Sequence, residues 1–147
     1  MQTVRLNKIS TKAPKQFNKE KTKAKTLLIL KELTELQNLL YAESKHSLLI
    51  VIQGMDASGK DGLIRDVFGV MNPQGVQVES FKAPTSKELS HDFLWRIHMH
   101  APSKGMIQVF NRSHYEDILI TRVHKWCDDA LAVKRMKAIN DFEEMLE

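Results

Sequence analysis

The chain has 147 residues and a net charge of +4, with 42% hydrophobic and 27% charged residues, an ordinary composition for one folded domain with its own core. No run of about 18 apolar residues is present to span a bilayer and no apolar signal stretch opens the sequence, so the expected protein avoids the membrane and resides in the cytoplasm. The single cysteine, Cys127, excludes an internal disulfide and a cysteine-based zinc cluster, and reads as an ordinary thiol.

Charge is unevenly placed. Residues 1–25 carry eight Lys/Arg against one acid, whereas residues 26–147 carry 14 bases and 17 acids. Residues 1–17, with Pro14 and scattered lysines, read as a basic irregular leader, and 18–147 as the folded domain. Such a leader could touch a polyanion by counterion release, the simpler reading being a solvated arm. No sequence-specific nucleic-acid contact is expected, because there is no stripe of exposed aromatics for stacking.

In chain order, Asn18 is placed to cap a helix running to about Tyr41, with Ile29, Leu33, Leu36 and Leu40 as its apolar face. The run LLIVI, Leu48 to Ile52, is continuous, apolar and rich in β-branched residues, as expected of a parallel strand covered on both faces. It feeds a glycine loop, and after Lys60 a helix follows with Leu63, Ile64, Val67 and Phe68 on one side, stopped at Asn72-Pro73-Gln74-Gly75. A second strand is expected over Val76 to Phe81, a turn at Ala83-Pro84, and a helix opened by Thr85-x-x-Glu88, which has the form of a capping box. A third strand covers Met106 to Phe110, Ser113-x-x-Glu116 offers a second capping box, and a last helix from about Asp129 carries Leu131, Met136, Ile139 and Phe142. Strand and helix alternate throughout, which predicts an α/β fold with a parallel sheet and right-handed crossovers. The third strand and the last helix are expected to expose apolar surface at the margin of so small a sheet.

Gly54-Met55-Asp56-Ala57-Ser58-Gly59-Lys60 has the frame of a phosphate-binding loop, in which consecutive amides turn inward at a helix N-terminus and the lysine reaches the outer phosphates. Gly54, Ala57, Ser58, Gly59, Lys60, Asp61 and Gly62 are its candidate phosphate contacts, joined by Arg65, Lys82 and Arg112. The position after the lysine, where a Ser or Thr hydroxyl ordinarily holds Mg²⁺, is Asp61. Asp56 inside the loop is the better candidate for that role, since carboxylate oxygen is a hard ligand, while Asp61 reads equally well as an acid stabilised by the helix dipole. His98 and His100 are two apart and so point to different faces, a poor metal pair, while Trp95 and Trp126 read as core. His114, beside Arg112, is open to either a phosphate contact or a structural role.

Four blocks, GMDASGKDG, NPQGVQVESFKAPT, HDFLWRIH and FNRSHYEDILITRVH, together resemble the polyphosphate kinase 2 family over about residues 13 to 147. The resemblance implies a P-loop kinase-like three-layer α/β/α fold with a parallel sheet, in which inorganic polyphosphate with Mg²⁺ donates a phosphoryl group to a nucleotide, reversibly. Asp56 and Lys60 match its Walker A acid and lysine, and Arg112 becomes a phosphate contact; Asp56, Lys60 and Arg112 are the candidate catalytic groups. Many members carry Asp where this chain has Asn111. The combination of Asn111 with Glu116 resembles the subgroup acting on both AMP and ADP, which makes these two the candidate nucleotide-binding residues and AMP, ADP and ATP the expected nucleotide partners. The family also implies a homo-oligomer, and a domain that continues into further strands and a helical lid of Lys and Arg, so that the sequence reads as an N-terminal part, incomplete at its C-terminus. An inactive polyphosphate-binding or assembly module and an ATP-using nucleotide kinase are the alternatives.

Overall fold

A computed structural model describes residues 9, 10 and 12–147, and most of the basic leader's first half lies outside these described residues. Helix α1 spans Lys19–Glu43 and is capped as its sequence predicts, the Asn18 side chain accepting a hydrogen bond from the Lys21 N–H at 3.1 Å. It closes on Ser44 in the left-handed region, φ 49°, with its N–H bonded to the Leu40 carbonyl. Strand β1, Leu48–Ile52, then leads through the glycine loop into α2, Lys60–Phe68. A single turn of 3₁₀ helix, Pro73–Gly75, is capped by Asn72 and delivers the chain to β2, Val76–Ser80. Two short helices, α3 Ser86–Leu89 and α4 Trp95–His98, precede β3, Ile107–Asn111, which is followed by α5, Glu116–Val123, and α6, Asp129–Leu146.

The three strands form one parallel sheet in the order β1-β3-β2. Strand alternation divides the side chains between two clusters. On one face Leu49, Val51 and the fully buried Phe110 meet Ile97 of α4, Ile118 of α5, and Ala132, Ile139 and Phe142 of α6. On the other, Ile50, Ile52, Ile107 and Val109 meet Leu33 and Leu40 of α1 and Ile64, Val67 and Phe68 of α2. This is the three-layer α/β/α arrangement of the P-loop kinase-like fold. Among the described residues no helix is long and apolar enough to cross a membrane.

Several expectations are corrected. The third strand is central, paired on both sides and buried from Ile107 to Phe110, so it exposes no margin; the free edges belong to β1 and β2. The long helix turns Leu33, Gln37 and Leu40 inward, leaving Ile29 and Leu36 exposed, because Gln37 occupies the middle of the buried stripe and accepts the Asn72 N–H. Leu63 on α2 and Leu131 and Met136 on α6 are likewise on the outer side, while Ala132 takes the inward position. Trp126 is 73% exposed, stacked on His124, because the chain turns there on Lys125 in the left-handed region; Trp95 is half-buried and stacked on His91.

The Thr85 capping box forms in full, with Thr85 N–H to Glu88 Oε2 at 2.6 Å and Glu88 N–H to Thr85 Oγ1 at 3.3 Å. The Ser113 box does not: Ser113 Oγ accepts the Tyr115 N–H, two residues on, and Glu116 is bound elsewhere.

Gly75 lies against α1 at the point where the turn meets the helix. An added Cβ would come 1.9 Å from Gln37 Nε2 and 3.2 Å from the Tyr41 ring, and Gln37 is itself only 2% exposed and held by Asn72. Overpacking of this kind destabilises by about 1–3 kcal/mol. Gly75→Ala is therefore expected to lower the urea midpoint without changing the slope, and an unchanged midpoint would show that α1 is not seated on this turn.

Candidate phosphate-binding site

The site is built at the C-terminal ends of the strands, where ligands of open α/β sheets bind. The loop's course is dictated by two left-handed residues, Ala57 at φ 59° and Gly59 at φ 90°. Gly59 accepts this conformation without penalty and serves as the N-cap of α2, whereas Ala57 carries modest strain that the surrounding turn holds in place. Gly54 is required for room, since a Cβ there would lie 2.7 Å from Ser58 Oγ. The first amides of α2 have no carbonyl to bond within the helix, and they face the loop with the positive end of the helix dipole.

A crevice of about 640 Å³ is lined by the loop from Asp56 to Gly62, by Ser80 to Ala83 after β2, and by Asn111 and Arg112 after β3. Asp56, Ala57, Ser58, Gly59, Lys60, Asp61, Gly62, Lys82, Asn111 and Arg112, read from the sequence as site residues, are thus brought together. Lys60 folds over the loop and donates from Nζ to the Gly54 and Met55 carbonyls at 2.8 and 2.7 Å. Arg112 leaves β3 in the left-handed region, φ 63°, and its backbone N–H donates to the Ile52 carbonyl at 3.0 Å. Its guanidinium reaches across the crevice to the Asp56 carboxylate, which is 85% exposed. Asn111 Nδ2 donates to Asp61 Oδ1 at 2.7 Å. The loop and the end of β3 are therefore joined twice, once by an ion pair and once by an amide-carboxylate bond.

Three of the predicted residues stand apart. Arg65 is exposed and pairs with its neighbour Asp66 at 2.9 Å, away from the crevice. Glu116, at the start of α5, accepts a hydrogen bond from Gln53 Nε2 instead of lining the crevice. Gly54 sits at the loop's root, beneath the lining. His114 is resolved as structural: it is fully buried, bonds Glu143 through Nε2 at 3.1 Å and packs edge-on against Phe142. His98 and His100 do diverge, toward Phe142 and Glu79 respectively, and no cluster of three His, Cys, Asp or Glu suited to a metal occurs among the described residues.

Two further residues bear on the site. Arg96 is buried under the β2 end of the crevice, donates to the Lys82 carbonyl at 2.9 Å, stands 5.3 Å from the Phe81 ring centre and lies 3.6 Å from Asp117 Oδ2. It fixes the backbone from which Lys82 projects. Burial raises the Asp117 carboxyl above its ordinary value, against the opposing pull of Arg96 and Arg135. The WR pair within HDFLWRIH was the visible signal for Arg96, an arginine in an otherwise apolar block. Gln53, directly before Gly54, had no signal in its residue type.

The sheet, the loop and the phosphate-facing cations define a P-loop kinase-like protein. The family model for polyphosphate kinase 2 matches residues 16–147. An AMP/ADP-polyphosphate phosphotransferase of Meiothermus ruber is 52% identical over 116 residues, 79% of this chain and 43% of that protein. An ADP-polyphosphate phosphotransferase of Rhodopseudomonas palustris is 56% identical over 95 residues, 65% of this chain and 33% of that one. The crystal structure of polyphosphate kinase 2 from Arthrobacter aurescens TC1 superimposes with a TM-score of 0.87 at 46% identity, covering 97% of this chain and 53% of that chain. The chain belongs to the polyphosphate kinase 2 family, and it spans less than half the length of these two curated relatives.

Because Asp56 occupies Arg112, Asp56→Asn is expected to tighten binding of inorganic tripolyphosphate in metal-free buffer by about fivefold, the scale of one exposed ion pair. Titration calorimetry reads the change, and weaker binding would show that Asp56 organises the loop for anions without metal. Burial also holds the His114 imidazole below its ordinary value, despite Glu143 and Asp117 favouring the charged form. A depressed folded value means that the unfolded chain takes up the proton first. Stability should therefore be full above about pH 6.5 and fall as pH drops below it. His114→Gln should flatten that fall in unfolding midpoints measured from pH 7 to 5.

Proposed function

We propose that the protein transfers phosphoryl groups between inorganic polyphosphate and nucleoside mono- or diphosphates. The observation that carries this reading is the convergence of the glycine loop, Lys60, Lys82 and Arg112 on one open crevice. A linear polyanion needs such a channel, with cations spaced along it and both ends open. Polyphosphate, and not ATP, is favoured as donor by the relatives, whose names specify AMP/ADP-polyphosphate and ADP-polyphosphate phosphotransferase. AMP and ADP are the proposed acceptors, ADP and ATP the products.

In this reading Lys60 leaves the Gly54 and Met55 carbonyls for the outer phosphates, and Arg112 exchanges Asp56 for a phosphate oxygen. Neither move requires a change of fold, since both side chains are exposed or half-exposed and their backbones are held by the sheet and the helix. The phosphate is transferred directly to the acceptor oxygen, and catalysis consists of positioning and charge stabilisation by the loop amides, Lys60 and Arg112.

The donor set at the crevice mouth suits Mg²⁺, which is commonly held by one or two carboxylates together with substrate phosphates. Asp56, exposed and facing the crevice, is the proposed ligand, with Asp61 retained by Asn111. When bound, the ion would bridge phosphate oxygens and offset their charge. Assembly into a homo-oligomer is part of the same proposal, consistent with the exposed Leu27, Leu28, Leu36 and Leu39 of α1.

The test is to assay the complete protein for nucleotide formation with polyphosphate as sole donor, then with ATP as sole donor. Transfer from polyphosphate alone is expected. Transfer from ATP alone would identify an ordinary nucleotide kinase, and polyphosphate binding without transfer would identify a binding module. Lys60→Ala should lower the polyphosphate-dependent rate about a hundredfold or more while leaving the protein folded, the usual cost of removing a charged donor from a transition state. Activity within a few fold of wild type would overturn the loop assignment.

A further inference from the structure

Gln53 is the residue between β1 and the phosphate loop, half-buried and outside the crevice lining. Both ends of its carboxamide are used. Oε1 accepts from Ser113 Oγ at 3.3 Å, and Nε2 donates to Glu116 Oε1. The orientation of this amide is determined by its neighbours. Ser113 is fully buried and its Oγ already accepts the Tyr115 N–H at 3.2 Å, so its own proton is free to go to Gln53 Oε1. That leaves Nε2 toward Glu116, whose carboxylate can only accept. A flipped amide would set carbonyl oxygen against carboxylate, and a glutamate at position 53 would set carboxylate against carboxylate.

We infer that Gln53 is a positioning residue that aims the Glu116 carboxylate and thereby sets the choice between nucleoside mono- and diphosphate acceptors. The inference rests on the proposed acceptor role of Glu116. Without Gln53, Glu116 keeps its backbone at the start of α5 but loses the one side-chain partner that orients it. Gln53 is also bonded through the main chain to Gly54, so the same residue that starts the phosphate loop holds the acceptor-side carboxylate. Donor site and acceptor site are thereby kept in register by one side chain.

The experiment measures kcat and KM for AMP and for ADP at saturating polyphosphate, and KM for polyphosphate, in the complete protein and in Gln53→Met, Gln53→Glu and Glu116→Gln. Gln53→Met keeps the shape of the side chain and removes both hydrogen bonds; Gln53→Glu keeps the bond to Ser113 and repels Glu116. Both should raise the acceptor KM about tenfold, the factor for losing a hydrogen bond to a charged group, and shift the AMP-to-ADP preference in the direction that Glu116→Gln shifts it. Polyphosphate KM should stay within about twofold, and Gln53→Met added to Glu116→Gln should cost little more than Glu116→Gln alone, because the two act through one interaction. An unchanged AMP-to-ADP preference in the Gln53 variants, with Glu116→Gln shifting it, overturns the positioning role and leaves the acceptor role standing. No shift in Glu116→Gln itself overturns the acceptor role and this inference with it. A rise in polyphosphate KM alone would make Gln53 a support of the loop only, and would also overturn the inference.

Discussion

The groups that face phosphate depend on three parallel strands stopping at one level. Ile52, Asn111 and Ser80 are register partners, and two backbone bonds carry the ladder one residue further, from Arg112 N–H to Ile52 and from Phe81 N–H to Asn111 at 3.0 and 3.1 Å. The strand in the middle cannot slip. Moving β3 by one residue would exchange Val109 and Phe110, both fully buried, between clusters made by different helices. Hydrophobic packing on both faces of β3 therefore sets where Asn111 and Arg112 emerge, and the loop leaving β1 beside it meets them at a fixed height.

The charges of the crevice are matched before any ligand arrives. Arg112 is on Asp56, Asp61 is on Asn111, and Lys60 is on the loop's own carbonyls. Binding a phosphate chain is then an exchange of partners, and the net gain is the difference between a multivalent anion and a single carboxylate or a pair of neutral oxygens. That difference is largest for Lys60, whose present partners carry no formal charge. It is smallest for Arg112 as long as Asp56 has no other cation to turn to. A metal ion arriving with the phosphates would supply one, so that metal and anion would each release the other's ligand in the proposed reaction. Exposure keeps the exchange inexpensive: Asp56 and Lys60 are both at the solvent-facing side of the loop.

Much of this was legible in the sequence because it is carried by local patterns. LLIVI, the glycine loop, Asn18, Thr85 and Glu88 act within a few residues of themselves, and each forms as its pattern demands. What was not legible depends on residues distant in sequence. The strand order decides that β3 is central and buried, and nothing in the five residues Ile107–Asn111 announces it. Leu36 and Leu63 fit a helical stripe yet remain exposed, because a 25-residue helix and a nine-residue helix offer more apolar face than a three-stranded sheet can cover. Ser113 and Glu116 have the spacing of a capping box, but Gln53, some 60 residues earlier, outbids the helix for both side chains. Arg96 fell among hydrophobic neighbours, and only the fold brings the Lys82 carbonyl within its reach.

The aspartate that follows the loop lysine is explained by its partner. Asp61 stands where a hydroxyl is usual, and Asn111 stands where many members of the family carry an acid; here the two meet at 2.7 Å as acceptor and donor. Were both acidic, two carboxylates at that distance could not stay ionised together without a shared proton or a cation between them. With asparagine opposite, Asp61 can remain charged at the first turn of α2, where the helix dipole favours it, and it ties that turn to the end of β3. The pair thus removes a reason for a metal to sit between positions 61 and 111. Asp56, on the loop itself and reached only by Arg112, is the carboxylate left able to change partners.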